Sequence, residues 1–118
     1  MPPVATDFAK LEREIKALAK DAAGAYTAEK NTVLAYLKTK RENLRLPDFP
    51  ASGDLKNQSA IDTFKKKFGD FHLELQSKAL GKKLDDLTEG ADSRTTKSAR
   101  FENTFKKCAT LDRKLASV

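Results

Sequence analysis

Apolar residues along the first part of the chain recur in alternating steps of four and three: Val4, Phe8, Leu11, Ile15, Leu18, Ala22 and Ala25. Those steps place one narrow apolar stripe on a helix, the pattern of a seam packed on a neighbouring helix. Thr6 or Asp7 can cap its start. Lys10 with Glu14, and Glu12 with Lys16, stand at the i,i+4 spacing of helical ion pairs. In continued register the stripe meets Glu29 and Thr32, and Gly24 sits just before that point. The spacing therefore predicts a turn at Ala23-Gly24-Ala25. A second helix follows, from Thr27 to Leu44, presenting Val33, Leu34, Leu37, Arg41 and Leu44. The competing reading is one long helix that changes face at Gly24.

Leu46-Pro47-Asp48-Phe49-Pro50-Ala51-Ser52-Gly53 cannot continue a helix, because proline removes a backbone donor and restricts the residue before it. This connection is expected to cross an end of the bundle, with Phe49 plugging that end. Ser59-Ala60-Ile61-Asp62 has capping-box spacing with Asp in place of Glu and announces a third helix. Ile61, Phe64, Phe68, Phe71 and Leu75 repeat the four-and-three stripe as far as Ala79. Leu80, Leu84 and Leu87 form a rotated stripe with Gly81 near the change, so the helix is expected to reach Leu80 and continue weakly to Leu87. After a connection over Thr88–Ser93, Asp92 or Ser93 caps a last helix with Phe101, Phe105, Cys108, Leu111, Leu115 and Val118 on one face.

These elements predict an all-α fold, an antiparallel helical bundle of about four amphipathic helices in a single domain over residues 1–118. The expected core is Phe8, Leu11, Ile15, Leu18, Val33, Leu37, Ile61, Phe64, Phe68, Phe71, Leu75, Phe101, Phe105, Cys108, Leu111 and Leu115. Composition agrees with this class. An apolar fraction of 39% is too high for a disordered chain, and five glycines with four prolines are too few turn residues for a β-sandwich. No run approaches the roughly 18 apolar residues of a membrane span. Met1-Pro2-Pro3-Val4-Ala5 lacks the features of a signal peptide, so an intracellular setting is expected. The lone Cys108 excludes an internal disulfide and fits a reducing compartment.

Few residues offer chemistry. His72 is the only histidine and has no cysteine near it in sequence, which points to a boundary residue rather than a zinc ligand. Cys108 lies on the apolar stripe, where a thiol acts as a small hydrophobe. Asp85, Asp86, Glu89 and Asp92 cluster around Gly90, but Leu87 falls where a calcium loop needs a ligand. Phosphate-binding glycine loops, nucleophile elbows and paired metal-ligand motifs are missing from the sequence. No enzyme activity, cofactor or metal is expected.

The formal charge of +6 changes the picture most, because it favours acidic partners. The candidate partner-binding residues are Lys65, Lys66 and Lys67, Lys38, Arg41 and Arg45, and Lys82 and Lys83. The function expected from them is a non-catalytic interaction or assembly module that docks an acidic protein surface. The alternative is a nucleic-acid-binding domain that contacts phosphates without reading bases. Against that alternative, the chain has no Trp, its phenylalanines sit at core spacing, and Glu12, Glu14, Glu74 and Asp112 are mixed among the basic residues. A membrane-surface helix would have to expose Phe64, Phe68 and Phe71, which the core needs. Oligomeric state stays open, since a narrow seam serves intramolecular and intermolecular packing alike.

Overall fold

The computed structural model describes residues 7–87 and 101–118 as an all-α bundle, in agreement with the expected fold class. The first helix, α1, spans Phe8–Thr39 and passes through Gly24 without a turn, so the predicted split at Ala23-Gly24-Ala25 is corrected. Its buried stripe is Ile15, Ala19, Ala22, Tyr26, Glu29, Val33 and Leu37, still in steps of about four and three. The seam thus runs through Glu29, the residue that had argued for a break. Gly24 faces solvent, where an interior glycine costs about 1 kcal/mol relative to alanine. The apolar seam on the opposite face outweighs that cost. At the start, Asp7 Oδ1 accepts the Lys10 N–H at 3.0 Å, as a cap should.

The helix also ends earlier than the predicted Leu44. Arg41 takes a left-handed φ of 58°, and the Glu42 N–H reaches back to the Leu37 carbonyl at 2.9 Å. This closes α1 in a Schellman turn, with arginine where glycine is usual. Leu44 and Leu46 are buried in the extended connection that follows. That connection does not cross an end of the bundle, as expected from sequence, but runs back along α1. The Tyr26 hydroxyl donates to the Pro47 carbonyl, Lys30 Nζ lies 3.5 Å from Asp48, and the Leu55 N–H donates to Glu12 Oε2 at 2.7 Å. Phe49 accordingly packs against the side of the next helix, 6.1 Å from the Phe68 ring and 4.9 Å from Phe71, and is not an end plug.

Helix α2 spans Gln58–Leu75 and buries Ile61, Phe64, Phe68, Phe71 and Leu75, the predicted set. Its cap is Asn57, whose Oδ1 accepts the Ala60 N–H at 2.9 Å; Ser59, the expected cap, already lies inside the helix. The helix breaks at Gln76-Ser77 rather than near Gly81. The Ser77 hydroxyl accepts the Leu80 N–H at 3.1 Å and starts α3, Lys78–Leu87. The last described helix, α4, spans Glu102–Ala116, with Phe101 as its N-cap residue at φ 64°. Val4, Thr6, the connection at Thr88–Ser93 and the caps assigned to Asp92 and Ser93 lie outside the described residues.

Three contacts fix α4 antiparallel to α1: Lys114 on Glu14, Lys107 Nζ 4.0 Å from Asp21, and Thr104 on Glu29. Lys65 Nζ donates to the Val118 carbonyl at 3.2 Å, so the start of α2 is level with the end of α4. Helix α2 therefore runs against α4 and in the direction of α1, which the long connection permits. The bundle is elongated, 64 Å along its axis and 20 Å across. At its centre the Tyr26 ring meets Phe71 edge-on at 5.0 Å and Phe101 at 5.5 Å. Each such buried aromatic contributes about 1.5–3 kcal/mol through the apolar area it removes from water. Phe8, Leu11, Leu18 and Phe105 are only partly buried, and Tyr26, Leu44, Leu46, Leu55 and Leu84 are core residues outside the expected set. Among the described residues, no helix is long and apolar enough to cross a membrane.

Candidate interaction surface

Each of the candidate basic residues has a definite place. Lys66 and Lys67 are exposed on α2, beside the exposed Asp62, Asp70 and Glu74. Lys65 is half-buried and bonded to the Val118 carbonyl. Lys38, Arg41 and Arg45 are exposed at and beyond the end of α1. At 1.5 Å per residue, Lys38 stands roughly 36 Å along α1 from Glu14, which is level with the end of α4 and hence with Lys65. The two clusters occupy opposite ends of the bundle and do not form one face. Lys82 and Lys83 are exposed at a third place, on α3.

Helix α1 carries a different and more ordered distribution of charge. It contains four carboxylates, Glu12, Glu14, Asp21 and Glu29, and every one is engaged with the rest of the molecule. Glu12 holds the Leu55 N–H and lies 3.9 Å from Lys16. Glu14 holds Lys114, and Asp21 holds Lys107. Glu29 is buried and accepts the Thr104 N–H at 2.7 Å, the Asn103 N–H at 3.2 Å and the Thr104 hydroxyl. It supplies the N-terminal cap that Phe101 cannot, since the first turn of α4 has free N–H groups and a positive dipole end.

The cations of α1 divide the other way. Lys16 and Lys30 pair with Glu12 and Asp48. Lys10, Arg13, Lys20 and Lys38 are exposed and carry no ion pair among the described residues. They share the face opposite the buried seam with Ala17, Gly24, Ala28, Asn31 and Ala35, also exposed, and no acidic residue interrupts that set. Sequence reasoning missed this ridge because it followed the apolar stripe and counted Glu12 and Glu14 as neutralising neighbours. Its signal was available in the opposite phase of the same period.

Groups with latent chemistry are turned inward. Burial, with smaller contributions from Asp112 and Glu29, pushes the Cys108 thiol up to about 11, so it is protonated at neutral pH. Burial likewise raises the Tyr26 phenol, with Asp48 and Glu74 adding to the shift, and its hydroxyl is committed to Pro47. His72 is half-buried, with its ring 5.6 Å from Phe68 and 6.4 Å from Phe105. Among the described residues, no group of three or more His, Cys, Asp or Glu side chains is placed to hold a metal ion. Glu89 and Asp92 of the acidic cluster lie outside the described residues. A cleft of about 460 Å³ between α1 and the connection is lined by Tyr26, Lys30, Asp48 and Phe49. Three of those groups are already engaged, Lys30 with Asp48 and Tyr26 with Pro47.

The chain matches no protein-family model, and comparison with curated proteins and with solved structures likewise gives no match.

Proposed function

We propose that this protein is a non-catalytic helical interaction module that docks an acidic protein partner through a basic helix face. The observation that supports this reading is the sorting of charge on α1. Its carboxylates serve the bundle's own backbone and lysines, and four of its cations face solvent without an ion pair among the described residues. Unopposed cations on a rigid element raise the encounter rate with acidic partners and discriminate against basic ones. The exposed Lys66, Lys67, Lys82 and Lys83 add to the same long-range field, as do Arg41 and Arg45 beside Lys38 at the far end. The inward placement of Cys108 and Tyr26 suits a scaffold more than a reaction centre.

The test is a fluorescence-anisotropy titration of the full chain with a labelled, glutamate-rich peptide at low and near-physiological salt. Binding in the micromolar range that weakens with salt is the expected result, because exposed charges are screened over about 8–10 Å. No binding at low salt contradicts the reading.

A further inference from the structure

We infer that the docking surface is the outward ridge of α1 set by Lys10, Arg13, Lys20 and Lys38, and that its occupant is an acidic segment of a partner protein lying lengthwise along the helix. This rests on the proposed docking function and adds the surface and the form of the partner. The ridge runs about 42 Å at the helical rise of 1.5 Å per residue. Its cations form no ion pair among the described residues, because the neighbouring carboxylates of α1, Glu14 and Asp21, pair with Lys114 and Lys107 on α4. The outward face of α2 differs, because Asp62, Asp70 and Glu74 stand among Lys66 and Lys67.

Charge density decides between a protein and a nucleic acid. Duplex DNA presents a phosphate charge about every 1.7 Å of axis, whereas the four cations of this ridge stand about 4.5, 10.5 and 27 Å apart along it. Between the cations lie short side chains, Ala17, Ala28 and Ala35, with Gly24 at mid-length, where an added methyl would meet nothing within 4 Å. A sparse row of charges over a low, partly apolar floor matches a polypeptide with acidic groups every few turns. It matches a phosphate backbone poorly. The described residues also expose no aromatic platform for bases; the one large hydrophobic group that is strongly exposed is Leu73, on α2.

The experiment compares three full-length proteins: the native chain, the K10E/R13E/K20E variant and the K66E/K67E variant. The probe is a fluorescein-labelled Glu/Ala helical peptide of about 20 residues, long enough to span about 30 Å. Circular dichroism first establishes that each variant keeps the native helicity, and K10Q/R13Q/K20Q serves as a milder version that adds no repulsion. The α1 reversal is expected to raise Kd at least about tenfold, the α1 glutamine variant by an intermediate factor, and the α2 reversal less than about threefold. A large loss in K66E/K67E with little in K10E/R13E/K20E overturns the ridge and leaves acidic docking standing on α2. Absence of binding by the native chain at low salt overturns the docking function itself. Tighter binding of a DNA or RNA duplex than of the peptide, lost on α1 reversal, keeps the ridge but overturns the acidic protein as its occupant.

Discussion

The Glu29 carboxylate on α1 accepts the Thr104 backbone N–H at 2.7 Å and caps α4 from across the bundle. The cap is needed because Phe101, at the N-cap position, makes no side-chain hydrogen bond and points its ring into the core. Glu29→Ala would leave the buried Thr104 N–H and hydroxyl, and the part-buried Asn103 N–H, without their acceptor. The expected cost is about 2–4 kcal/mol. Thr104→Val, which removes only the hydroxyl bond, is expected to cost about 1 kcal/mol. Urea unfolding of both variants and of the double variant measures the coupling. A loss below about 0.5 kcal/mol in Glu29→Ala would show that the cap is dispensable.

Glu14 gives the bundle a pH dependence of known sign. Its hydrogen bond to Lys114, helped by the charges of Lys114, Lys10 and Arg13, holds its carboxyl below the ordinary 4.5 against a smaller opposing effect of desolvation. A depressed folded value means that folding favours the ionised form. The stabilisation is therefore complete above pH 4.5 and is lost as pH falls through the lower folded value. Glu14→Gln is expected to be less stable than the native chain at neutral pH and equal to it in strong acid. Thermal melts across that range check this, and a difference independent of pH would contradict it.

Cys108 should be chemically silent while the chain is folded. With its thiol raised from 9.0 to about 11 and no exposed surface, little thiolate forms and reagents have no path to it. Labelling by iodoacetamide at mildly alkaline pH is expected to be at least about 100-fold slower in the folded protein than in urea. Equal rates would place the thiol at the surface.

Gly24 tests the continuity of α1. An added methyl there meets no atom within 4 Å, and the backbone is helical, so Gly24→Ala is expected to stabilise by about 0.5–1 kcal/mol. A turn at that position would make the same change neutral or destabilising. Chemical denaturation distinguishes the two.

The helical stripes were legible in the sequence wherever burial is apolar. All of the α2 core positions, and Phe101, Cys108, Leu111 and Leu115 around α4, follow from four-and-three spacing. The continuity of α1 was not legible, because Glu29 on the seam reads as an interruption until the N–H groups that it binds are known. Those donors lie far away in sequence, on Asn103 and Thr104. The connection was hidden for a similar reason. Leu46 and Leu55 follow no helical period, Leu44 lies past the Thr39 end of the helix whose stripe it continues, and burial of the three depends on an extended segment that Tyr26 and Glu12 hold against α1. For the interaction surface, the exposed basic residues could be named from sequence. Which carboxylates remain to pair with them is a tertiary property, and it adds Lys10, Arg13 and Lys20, which form no ion pair among the described residues, to the candidates Lys65, Lys66 and Lys67.

Amide chemical-shift mapping of the full chain during titration with the glutamate-rich peptide, at low salt, bears most directly on the charge-sorted face of α1. Perturbations are expected to follow Lys10, Arg13, Ala17, Lys20 and Gly24 along one side of α1, and to collapse when salt is raised. Perturbations confined to α2 and α3, or none at any peptide concentration, would contradict it.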